Sequence, residues 1–208
     1  MGVRIHYRGT LNEKNQVYNL IEEVKDVART MGWSYAALDE DWTSPPTPHF
    51  TSNTEQGIHI DGECGLKGIH FRMGEDADAV WLYFNAKGNI SAPFQVALEA
   101  DEDYPMTKKW LSTKTQDVGI DTHIALINFF KYLKEKYIEN LEVIDNGGYW
   151  EHNSKEELKT RFNMLEGLMN QVDNALENID SGIMDDPGQI DKMIDDLLSE
   201  LGEEEKDE

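Results

Sequence analysis

Residues 57–100 read GIHIDGECGLKGIHFRMGEDADAVWLYFNAKGNISAPFQVALEA, and the fold follows from how this stretch is parsed. Ile58 and Ile60 alternate with His59 and Asp61, and Ile69, Phe71 and Met73 alternate with Gly68, His70 and Arg72. Period-2 alternation marks strands with one wet face. Gly62-Glu63-Cys64-Gly65 lies between the two runs and has the composition of a hairpin loop, since both glycines accept positive φ. Val80-Trp81-Leu82-Tyr83-Phe84 is apolar or aromatic throughout, which predicts a central strand covered on both faces. Asn85 to Asn89 is a turn by composition. Phe94, Val96 and Leu98 alternate with Gln95, Ala97 and Glu99 and predict one more strand, with Pro93 at its start or edge. The whole stretch is expected to be a β-meander.

Helices flank it on both sides. Val3, Ile5 and Tyr7 predict a first strand, and Thr10-Leu11-Asn12-Glu13 has capping-box spacing. Val17, Leu20, Ile21, Val24, Ala28 and Met31 then recur at helical spacing, and Gly32 is placed to stop the helix. A short return strand is expected at Trp33–Ala36. From Leu38 to Glu55 no period holds, and Pro45, Pro46 and Pro48 indicate a long loop anchored by Trp42 and Phe50. Asp101-Glu102-Asp103 is expected to be a surface loop, and Trp110–Thr115 a strand. Ile120, Ile124, Ile127, Phe130, Leu133 and Tyr137 form a wide helical stripe, capped by Asp121 or Thr122. Leu141 to Asp145 closes the sheet before Asn146-Gly147-Gly148. The fold class that results is α+β: a mainly antiparallel sheet packed with two helices over residues 1–150.

A C-terminal amphipathic helical appendage, residues 151–201, follows. Ser154-Lys155-Glu156-Glu157 has capping-box spacing. Leu158, Phe162, Leu165, Met169, Val172, Leu176 and Ile179 then step alternately by four and three, as a heptad seam does. Leu168 and Ala175 widen the stripe, so packing on the chain's own domain competes with a coiled coil. Gly182 and Pro187 interrupt the pattern, Ile190, Ile194, Leu197 and Leu201 make a shorter amphipathic piece, and the acidic end at 202–208 is expected to be disordered.

Net charge is −22 over 208 residues, and 18 acidic against 5 basic residues lie from Glu151 onward, a balance of −13. Such a chain lacks the Lys and Arg that neutralise phosphates, so nucleic acid is an unlikely partner, and anionic membranes repel it. No apolar run approaches the ~20 residues of a membrane span. Cys64 is the single cysteine, which rules out an internal disulfide or a multi-cysteine metal site and suits a reducing, cytoplasmic compartment.

Three constellations carry candidate chemistry. If Gly62–Gly65 closes a hairpin, His59, Asp61 and His70 share one face, the ligand set of a non-haem iron, zinc or manganese site. Cys64 would need a neighbouring base to act as a nucleophile. Lys114, Thr115, Gln116, Gly119 and His123 stand where a strand hands over to a helix, whose free amides attract anions, with Lys114, Gly119 and His123 the expected anion contacts. Tyr149 and Trp150 follow a glycine pair and either staple the next helix or form a partner hot spot. No nucleophile-elbow, zincin, phosphate-loop or dinucleotide-binding pattern occurs. The sequence therefore favours an acidic, non-catalytic interaction or regulatory protein, with no cofactor, that binds a protein partner or a second copy through its C-terminal helices. The alternative is a metal-dependent oxygenase or hydrolase with a divalent transition metal at His59, Asp61 and His70.

Overall fold

The computed structural model describes residues 2–53, 57–75, 77–100 and 110–177. In chain order the elements are β1 (Arg4–Arg8), α1 (Val17–Met31), β2 (Ser34–Asp39), β3 (His49–Asn53), β4 (Gly57–Asp61), β5 (Lys67–Arg72), β6 (Ala79–Phe84), β7 (Ile90–Ser91), α2 (Pro93–Ala100), β8 (Leu111–Lys114), α3 (Ile120–Lys136), β9 (Glu142–Asp145), α4 (Tyr149–His152) and α5 (Lys155–Glu177). The Asp101–Asp103 loop, the helix expected at 190–201 and the acidic end lie outside the described residues. The chain is α+β. Residues 1–163 form one compact unit and residues 164–208 a second.

Three antiparallel sheets replace the single one expected: β8-β1-β9, β2-β5-β6-β7 and the ribbon β3-β4. Tyr7 joins the first two. Its hydroxyl donates to the Trp81 carbonyl at 3.2 Å and accepts from the Trp81 amide at 2.8 Å, so one side chain serves both backbone groups of a β6 residue. Burial pushes the Tyr7 hydroxyl's pKa well above its usual value, so it remains protonated and can donate.

One face of α1 (Val17, Leu20, Ile21, Val24 and Ala28) is buried in the main core, as its 3.6-residue period requires. Leu126, Ile127, Phe130 and Leu133 of α3 enter the same core, and Phe130 meets Tyr7 with ring centroids 5.0 Å apart. Trp33 stacks on Phe71 at 5.1 Å. A smaller cluster of Cys64, Leu66 and Tyr83 is joined by Leu38, Ile60, Trp81 and Val96. β6 thus contributes to two cores, which accounts for its continuous apolar run. At Gly68, β5 leaves no room for a side chain against β6: its φ is +146°, and a Cβ there would collide with the Leu82 carbonyl oxygen.

Five local expectations fail. β4 pairs with β3, and β5 with β2 and β6, so Gly62–Gly65 does not close a hairpin between β4 and β5. The segment containing Phe94, Val96 and Leu98 is helix α2. Pro93 takes its first position, where a missing N–H costs nothing, and the buried residues are Gln95 and Ala97. Thr10 bridges to Asn89 and does not cap α1, which begins after a tight turn at Lys14–Gln16. Neither Asp121 nor Thr122 caps α3, because Gly119 occupies that place. Gly32 does end α1, in the left-handed region at φ 70°. Within the supposed loop 38–55, β2, the expected return strand, runs on to Asp39, and β3 is formed at His49–Asn53. The intervening turn is tied down by Trp42 Nε1, which donates to the Phe84 carbonyl at 3.0 Å, and by the Thr47 amide, which donates to the Glu63 carbonyl at 2.8 Å.

Candidate functional site: a buried hydroxyl–imidazole–carboxylate set

β1 pairs with β8 on one side and β9 on the other, which places Lys114 opposite Arg4 and Asp145 opposite Ile5. Thr115 therefore leaves β8 close to the end of β9. His123, in the first turn of α3, reaches between them. Its Nδ1 lies 2.8 Å from Thr115 Oγ1, and its Nε2 donates to Asp145 Oδ2 at 3.2 Å. Asp145 also accepts from the Gly147 amide at 2.7 Å and the Trp150 amide at 3.0 Å. Burial alone would raise the Asp145 pKa, but the His123 hydrogen bond and charge, with the two amides, hold it below the usual carboxylate value.

Hydroxyl, imidazole and carboxylate in this order is the arrangement that activates a nucleophile elsewhere. Here Thr115 and His123 have no exposed surface. Phe162 meets the His123 ring edge-on at 5.8 Å, and Leu158 is also fully buried. The buried set joins β8, α3 and β9 as a polar clamp beneath the start of α5. Of the residues expected to hold an anion, His123 faces this clamp, Lys114 pairs with Asp117 at 2.8 Å, and Gly119 is exposed at the start of α3. They do not converge on one anion-facing surface. Thr115 falls in the same sequence group as His123, but Asp145 does not, because 22 residues separate it from His123 and no local spacing links the two.

The proposed metal ligands are divided between two sheets. His59 and Asp61 lie on β4, where His59 Nε2 is 3.7 Å from Asp61 Oδ2 and Thr51 donates to Asp61 at 3.1 Å. His70 lies on β5, its Nδ1 2.7 Å from the Tyr83 hydroxyl and its ring 4.8 Å from that of Trp81. Burial, then the Arg72 charge, lowers the His70 pKa, and burial with Glu40 pushes Tyr83 up to about 12. Among the described residues no group of three His, Cys, Asp or Glu side chains stands ready to hold a metal. Cys64 is 4 % exposed and its thiol is pushed up to about 11, first by burial and then by Glu40, the opposite of what a nucleophile needs.

The heptad seam is divided as well. Leu158 and Phe162 are buried against the body of the first unit, a correction to their assignment as partner contacts. Ser154 Oγ accepts from the Glu157 amide at 3.2 Å, so the expected cap is made. Tyr149 and Trp150 pack on the main core, with the Lys131 ammonium over both rings. Met164 is 59 % exposed and Leu165 half-buried. Met169, Val172 and Leu176 fall on the α5 backbone, and Ile179 lies outside the described residues. Among the described residues no helix is long and apolar enough to cross a membrane. No family model, no curated protein and no solved structure matches this chain.

Proposed function

We propose that the chain is a non-catalytic interaction protein that binds a basic helical partner, or a second copy of itself, through the part of the heptad stripe beyond Asn163. The reading is supported by the change along the stripe. Leu158 and Phe162 are satisfied within the first unit, whereas Leu165, the next residue of the stripe, is only half-buried while the same four-three stepping continues in sequence to Ile179. A helix carrying an apolar stripe gains most of its stability by covering that stripe. The balance of −13 from Glu151 onward favours a basic partner and raises its rate of encounter.

The test compares the full chain with a version ending at Asn163, a cut that keeps Leu158 and Phe162 in place. Light scattering reports self-association, and calorimetry against a synthetic Lys/Leu amphipathic helix reports basic-partner binding. Dimer mass or peptide binding that is lost on truncation supports the reading. A full-length monomer that ignores the peptide overturns it.

A further inference from the structure

The turn after β2, the β6–β7 turn and α2 enclose a cleft of about 290 Å³, at the small end of the roughly 300–1,000 Å³ range of ligand sites. Its walls include the apolar surfaces of Trp42, Pro46, Ile90 and Val96. The Trp42 indole N–H is spent on the Phe84 carbonyl, so the residue offers the cleft ring surface and no donor.

The polar side is unequal in donors and acceptors. Asn85 Oδ1 accepts from the backbone amides of Lys87 at 3.0 Å and Asn89 at 3.1 Å. Backbone N–H groups can only donate, which fixes the orientation of the Asn85 amide and leaves its Nδ2 with no partner among the described residues. Asn89 Oδ1 accepts from Thr10 Oγ1 at 2.8 Å, leaving a second Nδ2, and Lys87 lines the same wall with an ammonium. Gln95 is spent at both ends, on the Ala92 amide and the Trp110 carbonyl, and the Ser44 hydroxyl on Asp41. Glu99 is the one carboxylate among the described lining residues. Two amide donors and an ammonium against one carboxylate among the described lining residues call for an acceptor-rich, negatively charged guest.

We propose that this cleft binds a small organic anion, a carboxylate or phosphate ester, whose planar apolar body lies against Trp42 and whose charged end meets Asn85, Lys87 and Asn89. The site is independent of the α5 stripe. The overall charge of −22 opposes anion entry at long range, an opposition that salt screens, so the measurement is made at physiological ionic strength.

The experiment titrates the nitrogen-labelled full chain with benzoate, phenyl phosphate and neutral benzamide, each to about 10 mM, following the Trp42 indole and the Asn85 and Asn89 side-chain amides by NMR. Benzoate or phenyl phosphate shifts all three signals and benzamide does not; the stronger of the two identifies the headgroup. Lys87→Glu weakens anion binding by roughly tenfold or more, and Glu99→Gln strengthens it by roughly three- to tenfold. Lys87 and Glu99 are both exposed, so neither change threatens folding. Silence from all probes, equal binding of benzamide, or affinities indifferent to both substitutions overturns the proposal.

Discussion

The hydroxyl of Tyr7 takes the place of a neighbouring strand for Trp81, donating to its carbonyl and accepting from its amide. Tyr7→Phe keeps the ring against Phe130 but strands two backbone groups of β6. Unpaired buried polar groups cost about 1–3 kcal/mol each, so the variant is expected to lose at least about 2 kcal/mol in urea-induced unfolding with an unchanged slope. A loss below about 0.5 kcal/mol would mean that water reaches the Trp81 backbone.

Asp145 sets an acid limit on stability. Its folded pKa lies below the unfolded value of roughly 3.9, so its contribution is complete well above that pH and is lost as pH falls through the folded value. Asp145→Asn is expected to remove part of the stability at neutral pH and to flatten the fall in stability below about pH 4. Unfolding midpoints measured from pH 7 down to about pH 2 in both proteins check this; parallel profiles would count against it.

Gly68→Ala is expected to destabilise the fold by about 3 kcal/mol or more, because the new methyl meets the Leu82 carbonyl and the backbone is held at φ +146°. Gly32→Ala, with no atom within 4 Å of the new methyl, carries only the left-handed backbone cost of roughly 1 kcal/mol. Comparing the two by thermal melting separates collision from backbone strain.

A chain ending at His152 is expected to be less stable than one ending at Asn163 by roughly 3–6 kcal/mol, since it loses the burial of Leu158 and Phe162. Equal melting temperatures for the two would show that the covering of His123 contributes nothing.

Elements with a long, clean period are legible in the sequence alone. Val17 to Met31, Ile120 to Tyr137 and the unbroken run Val80–Phe84 each carry the signal that their burial demands. Pairing was less legible. Period 2 marks Gly57–Asp61 and Lys67–Arg72 as strands but says nothing of partners, and the prolines at 45, 46 and 48 hid β3, the strand that β4 joins. The eight residues of α2 are too few for alternation and helical spacing to be told apart. The clamp around His123 joins residues from two strand ends and a helix, a meeting that only β1, paired on both sides, brings about.

The chain's one thiol stays protonated and 4 % exposed in the folded state, beside the Leu66–Tyr83 cluster. With a single sulfur per molecule, alkylation at neutral pH proceeds only through excursions that uncover Cys64. The modification rate counts those excursions in the unaltered protein, and a guest in the adjoining cleft would slow the count without any added label.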